Sequence, residues 1–164
     1  MNHAADGAAV SIRAATTADL GAINRVVEHA VMSWDLPERV KRLSLPVYRY
    51  TEADLAASEI VVAVAAQDIA GVAAWEPADS ADVPDSRGAL LLHGLYVEPR
   101  LHSQGIGAQL LQAAETAARA GGMAGVVVKA QRDAIGFFKA RGYRALEVTD
   151  AGRDYAHRLW KALG

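Results

Sequence analysis

Residues 94–111, GLYVEPRLHSQGIGAQLL, gather the residue types best suited to chemistry in a chain of 164 residues. They read as the end of a strand, a turn, a glycine-rich corner and the first turns of a helix. Glycine at 105 and 107 lets the backbone come close to a ligand and tolerates positive φ. A helix starting there offers unpaired backbone N–H groups at the positive end of its dipole, a combination that suits a phosphate or a pyrophosphate. Two common phosphate motifs are absent. A Walker A loop needs a lysine and a Ser or Thr directly after its last glycine, where this chain has Ala108 and Gln109. A dinucleotide fingerprint needs a third glycine at 110, which is Leu110, and it opens on the first strand of its fold, not on the fourth. The glycine pair alone is also compatible with a tight strand-to-helix connection.

The elements around this corner follow from hydrophobic period. Residues 10–14 alternate as a half-buried strand, and Thr16 to Asp19 carry a capping pattern. Leu20, Ile23, Val26, Val27, Ala30 and Val31 then make one face of a helix over 18–32. Residues 33–50 read as irregular, with one or two helical turns over 38–43, and 51–57 as a short capped helix. A β-branched strand at 59–65 and a second at 69–75 form a hairpin turning at Gln67 and Asp68. Residues 76–87, with two prolines and four acids, read as a solvated loop, or less readily as a trap for a cationic substrate.

The most apolar strand, 89–98, belongs at the centre, and Gly94 inside it signals a bulge or a close backbone approach. After the corner come a helix at 108–120 with Glu115 and Arg119 as an i,i+4 pair, and a strand at 126–130. A helix capped by Asp133 and stopped at Gly142 follows, then strands at 143–148 and 157–163. This order implies an α/β fold with a mixed, mostly antiparallel central sheet flanked by helices.

Composition limits the function. The formal net charge is −2, which gives no support to a nucleic-acid partner. Cysteine is absent, so a disulfide framework, a zinc ribbon and a cysteine nucleophile are excluded, and no metal site is expected. No targeting segment is visible, and the longest apolar run, 60–66, is far below the ~20 residues that span a bilayer. The expectation is a cytoplasmic protein without a membrane partner, built as a loose tail at 1–9 and a single domain at 10–164.

The run from Leu95 to Leu111, followed by a strand and then AIGFFKARGY, resembles the GNAT superfamily of acyl-CoA-dependent N-acetyltransferases. The likeness covers nearly the whole chain from Val10 onward. It implies a sheet with a V-shaped splay and acetyl-CoA as cosubstrate. The family's pyrophosphate loop falls on His102, Ser103, Gln104, Gly105, Ile106 and Gly107, with Ala108 following. The backbone of Leu95, Tyr96 and Val97 would pair with the pantetheine amides as an added strand would. Residues 133–141 would flank the pantetheine and the thiol. Three positions depart from the pattern. His102 replaces an Arg or Gln, Gln131 an Asn, and Phe138 the tyrosine that protonates the leaving thiolate in many members. Another acid, water, or unassisted departure must take over that last task; a thiol of pKa ~8.5 permits the third.

The implied reaction is direct attack by a primary amine, of a small molecule or a peptide, on the thioester carbonyl. A base or a water chain must take the amine's proton, and a backbone N–H near 95–97 would serve the carbonyl oxygen. The candidate catalytic side chains are His93, whose residue type exchanges protons near neutral pH, and Tyr96. Each has a structural alternative, a core histidine and a packed ring. Glu98, just before Pro99, reads as a solvated turn residue, and His157 as structural. Trp34, Tyr48 and Trp75 either line an acceptor pocket or belong to core and rim. Leu159 and Trp160 either pair two chains into a homodimer or fill a monomer's core. Phe138 motivates a competing reading, a non-catalytic acyl-CoA-binding or sensing module. A binder of another phosphate ligand is a third.

Overall fold

The computed structural model describes residues 9–152 and 154–164; the expected tail at 1–9 lies outside them except for Ala9. Strand β1 (Val10–Ala14) leads through a 3-10 turn (Thr17–Asp19) into helix α1 (Leu20–Met32). Asp19 anchors this entry. Its carboxylate accepts from the Thr16 backbone N–H at 2.8 Å and from Arg13 at 2.8 and 2.9 Å. Helix α1 buries Ile23, Val26, Val27, Ala30 and Val31, the stripe read from spacing.

Helix α2 (Glu38–Tyr48) is longer than the one or two turns expected, and it carries Pro46 inside. Tertiary contacts outweigh the missing N–H. Leu45 is buried, and the Lys41 ammonium donates to the carbonyls of Met32 and Trp34 at 2.8 and 3.2 Å, closing the end of α1. Helix α3 (Glu52–Ala57) starts from a capping box between Thr51 and Asp54, as the sequence implies.

Seven strands form one sheet in the order β1-β2-β3-β4-β5-β7-β6. Strands β2 (Glu59–Ala65) and β3 (Asp68–Pro77) join through Ala66 and Gln67, both at positive φ (50° and 69°). That is the geometry of a two-residue hairpin turn, one residue earlier than expected. Strand β4 (Leu90–Val97) runs parallel to β5 (Gly125–Lys129), with Leu90, Leu91 and Leu92 opposite Val126, Val127 and Val128. Strand β4 then continues to Val97, five residues beyond the last of these pairs. Strand β7 (Arg158–Ala162) pairs antiparallel with β5 and with β6, which is only Arg144–Ala145, shorter than the strand expected at 143–148.

The chain divides into two compact units. One comprises the described residues up to Ala74 together with Gly94–Leu111; the other comprises Trp75–His93 and Gln112–Gly164. The first holds a core of Ile23, Val27, Val31, Val62, Val72 and Tyr96, with Trp34 and Tyr48 packed on it. In the second, Val83, Ala89, Val127 and Trp160 pack together. Leu159 and Trp160, weighed as a pairing surface, are 1% and 2% exposed and belong to the chain's own core.

The connection after β3, expected to be solvated, is anchored. It forms 3-10 turns at Ser80–Asp82 and Pro84–Ser86, buries Val83, and sets Asp82 3.2 Å from Lys129 Nζ and 3.5 Å from the buried Arg158. Asp82 is thereby engaged by the chain's own cations. Helix α4 (Ile106–Ala120) also differs in one contact. Glu115 turns inward and accepts from Tyr143 at 3.1 Å and from Lys161 at 2.9 Å, where an i,i+4 pair with Arg119 was expected.

Asp154 closes the turn before β7. Its carboxylate accepts from the backbone N–H groups of Asp150 and Thr149, both at 3.1 Å, and from the Thr149 hydroxyl at 2.9 Å. These bonds, with Arg158 nearby, hold its pKa at about 2. A carboxyl lowered from ~3.9 contributes stability in full above about pH 4 and loses it as pH falls through about 2. Asp154→Asn should therefore lower the melting temperature at pH 7. A pH series of melting curves should show the difference from wild type shrinking below pH ~4 and vanishing below ~2.

Candidate functional site

Within the first unit, the site is built on the last residues of β4 and the loop behind them. Burial alternates without a break along β4: Leu90, Leu92, Gly94 and Tyr96 are buried, and the residues between are half-buried. The expected bulge at Gly94 is therefore absent, and what comes close is a side chain instead of the backbone expected. The Tyr50 phenol oxygen lies against Gly94 where a β-carbon would collide with it, and Tyr96 Cε2 is 3.2 Å from the same point. Tyr50 is held by its backbone. Asn24 donates to its carbonyl at 2.9 Å and accepts its N–H at 2.8 Å. The rings of Tyr50 and Tyr96 meet edge-on at 6.4 Å, and those of Trp34 and Tyr48 at 5.4 Å. Burial pushes both Tyr50 and Tyr96 well above the ordinary phenol range, with smaller contributions from Tyr96 and Asp54 on Tyr50 and from Tyr48 on Tyr96. Both phenols stay protonated, so the Tyr96 side chain is unsuited to act as a base.

Beyond Val97 the chain makes a 3-10 turn (Pro99–Leu101) and enters the corner with Ser103 at φ 66° and Gly105 at φ 82°. Nothing lies within 4 Å of the position a Gly105 β-carbon would take, so glycine is needed there for φ and not for space. Gly107 falls inside the first turn of α4. The helix ladder begins with Gln109 N–H donating to the Gly105 carbonyl at 3.0 Å, so the N–H groups of Ile106, Gly107 and Ala108 precede it. Leu110 Cδ1 lies 2.8 Å, and Ile106 Cγ2 3.2 Å, from the point where Gly71 of β3 would carry a β-carbon, which seats the start of α4 on the sheet. His102 Nε2 is 3.2 Å from the Val97 carbonyl and ties the loop back to β4.

A second polar contact joins this region. Glu98, read as a solvated turn residue, has a side chain only 13% exposed, and its Oε1 is 2.8 Å from His29 Nδ1. Its backbone N–H donates to Ala70 at 2.8 Å. Neither His29 nor Tyr50 stands out in the sequence. The available signal was the glycine at 94, which announces an arriving side chain without naming it.

The other candidates lie in the second unit. His93 is half-buried and, three residues before Tyr96 on a regularly alternating strand, points to the opposite face of β4. The structure thus does not bring these two side chains together. Trp75 is 5% exposed and serves as packing, not as an exposed pocket wall. Gln131 precedes a 3-10 turn (Arg132–Ala134), and its carbonyl accepts from Ala134 at 2.9 Å. The turn continues into α5 (Ile135–Lys139), whose N-cap position is held by Ala134, with Asp133 inside the preceding turn. Phe138 is buried, edge-on to Phe137 at 5.1 Å and to Tyr143 at 5.5 Å. Tyr143 does not replace the missing phenol, since its hydroxyl donates to Glu115. Among the described residues no group of three or more His, Cys, Asp or Glu could hold a metal ion, and no helix is long and apolar enough to cross a membrane.

The sequence model of the acetyltransferase (GNAT) family matches residues 28–143. No curated protein matches the chain. Among solved structures, the chain is similar to the PaiA N-acetyltransferase of Thermoplasma acidophilum in complex with coenzyme A. That match has a TM-score of 0.78 and 16% identity, over 94% of this chain and 99% of that one. It is also similar to a GCN5-related N-acetyltransferase of Rhodopseudomonas palustris, with a TM-score of 0.74 and 22% identity over 93% and 95%. A GNAT family acetyltransferase of Brucella melitensis in complex with acetyl-CoA gives 0.65 and 20% over 95% and 89%.

The fit between Tyr50 and Gly94 can be measured. Gly94→Ala should destabilise the protein by about 1–3 kcal/mol, the usual cost of overpacking. In a Tyr50→Phe background, which lacks the colliding oxygen and leaves ring carbons of residues 96 and 50 at 3.2 and 3.3 Å, most of that cost should disappear. Urea unfolding of the four proteins gives the coupling directly.

Proposed function

Since the chain belongs to the acetyltransferase (GNAT) family, we propose that it transfers an acetyl group from acetyl-CoA to a primary amine, carried by a small molecule or a peptide, by direct attack. The carrying observation is the corner behind β4. A positive-φ glycine at 105 opens α4, and the first turn of that helix, whose N–H groups precede its ladder, rests on the sheet at Gly71. That is the geometry a pyrophosphate needs.

In this reading the backbone of residues 102–108 takes the pyrophosphate. The stretch of β4 beyond its parallel pairing, at Leu95, Tyr96 and Val97, takes the pantetheine amides. Gln131 and Phe138 are the candidates from the second unit for contact with the cosubstrate. Trp34, half-buried beside Tyr48, is the candidate for contact with the acceptor. His93 is the candidate for taking the amine's proton, and a β4 backbone N–H for the carbonyl oxygen. The complexes of similar proteins with coenzyme A and acetyl-CoA support the choice of cosubstrate. A second reading, a binding or sensing module without turnover, is favoured by one observation. The ring at 138 is buried and has no proton to give.

Calorimetry with CoA, NAD and ATP, and thiol release from acetyl-CoA over a panel of amines and peptides, test both readings. CoA should bind with a Kd of about 10 μM or tighter. A preference for NAD or ATP would overturn the proposal. Binding without thiol release on any amine would favour the sensing module. Gly107→Asp sets a carboxylate at the anion corner and should weaken CoA binding at least ~100-fold, with an unchanged circular dichroism spectrum, because juxtaposed like charges cost several kcal/mol.

A further inference from the structure

We propose that the Tyr50 hydroxyl is the hydrogen-bond donor to the sulfur of the leaving CoA thiolate. The inference rests on the acetyltransferase reading and adds to it a residue outside the glycine corner and outside α5.

The direction of the cosubstrate along β4 supports this. The corner that suits the pyrophosphate follows Val97 in the chain. An arm leaving it and pairing with Val97, Tyr96 and Leu95 therefore runs backward along the strand, toward Gly94. Three residues of strand span about 10 Å. The acyl end of the arm is then delivered to the Gly94 end of the stretch, and the phenol oxygen of Tyr50 lies against Gly94.

Tyr50 is also prepared for such a task. Its main chain is clamped by both polar atoms of the Asn24 amide, and its ring is fixed against Tyr96. A donor held in place before the reaction has little reorganisation to undergo when charge develops. Meanwhile the Phe138 ring of α5 has no proton to give.

The step balances as follows. The amine nitrogen bonds to the acetyl carbonyl carbon, and the carbon–sulfur bond breaks with its electron pair passing to sulfur. The nitrogen loses its proton to the base or to water. The thiolate leaves while accepting a hydrogen bond from Tyr50, which keeps its own proton because burial holds this phenol far above the thiol range. The thiolate is later protonated by water. Tyr50 thus acts as a donor and not as a general acid.

Tyr50→Phe removes the hydroxyl and keeps the ring that packs on Tyr96. With an active amine it should lower kcat about 10- to 100-fold and leave the KM for acetyl-CoA within about twofold. The loss should be uniform from pH 6 to 10, because burial keeps the Tyr50 phenol protonated throughout. A second readout needs no turnover. The ultraviolet absorbance of the thiolate of bound CoA, followed against pH, should show the thiol titrating about one unit higher in Tyr50→Phe than in wild type. Equal kcat values would overturn the proposal, as would identical thiol titrations, or a loss explained by a matching fall in melting temperature or CoA affinity. If wild type releases no thiol with any amine, the acetyltransferase reading falls and takes this inference with it. If wild type turns over and Tyr50→Phe matches it, this inference falls alone.

Discussion

The site depends on strand β4 outrunning its parallel partner. For three residues, Leu90 to Leu92, the strand is an ordinary central element with a neighbour in register. From there to Val97 it keeps its extended form beyond that ladder. Extended backbone of this kind can pair with another extended chain. The chain holds the stretch straight by other means. Glu98 N–H is tied to Ala70, and His102 reaches back to Val97. The burial of Tyr96 fixes one face.

The corner that follows combines one conformational demand with one packing demand. Gly105 is glycine because of its φ, while Gly71 is glycine because Leu110 and Ile106 occupy the space its side chain would need. These are different uses of the same residue type, and they cooperate. The first lets the chain turn into α4, and the second sets where the first turn of that helix comes to rest. Gly94 adds a third use, space for a phenol. Each of the three removes a side chain so that something else can come near.

Much of this architecture was legible in the sequence because it is local. The stripe of α1, the capping boxes at Thr16 and Thr51 and the β-branched run of β2 are patterns within a few residues. Helix α2 was underestimated because Pro46 argues locally against it, whereas Lys41, Leu45 and Tyr48 stabilise it through contacts with the end of α1. Glu98 shows the same limit at the site. The turn it was read into does exist at Pro99–Leu101, yet its carboxylate turns inward to His29, 69 residues away in sequence. No local period encodes such a pair. Tyr50 is hidden for the same reason, since its importance comes from Asn24 and Gly94, both remote in the chain.

The connection from β3 to β4 has a consequence for how the protein comes apart. A segment rich in proline, aspartate and serine would ordinarily be an easy point of proteolytic nicking. Here Asp82 ties its middle to Lys129 and to the buried Arg158, and Val83 plugs it from beside that tie. One long connection becomes two short ones, each with little freedom of its own. A protease must wait for Arg158 to lose a partner inside the protein. The strap therefore opens as part of a cooperative local unfolding and not as a free loop.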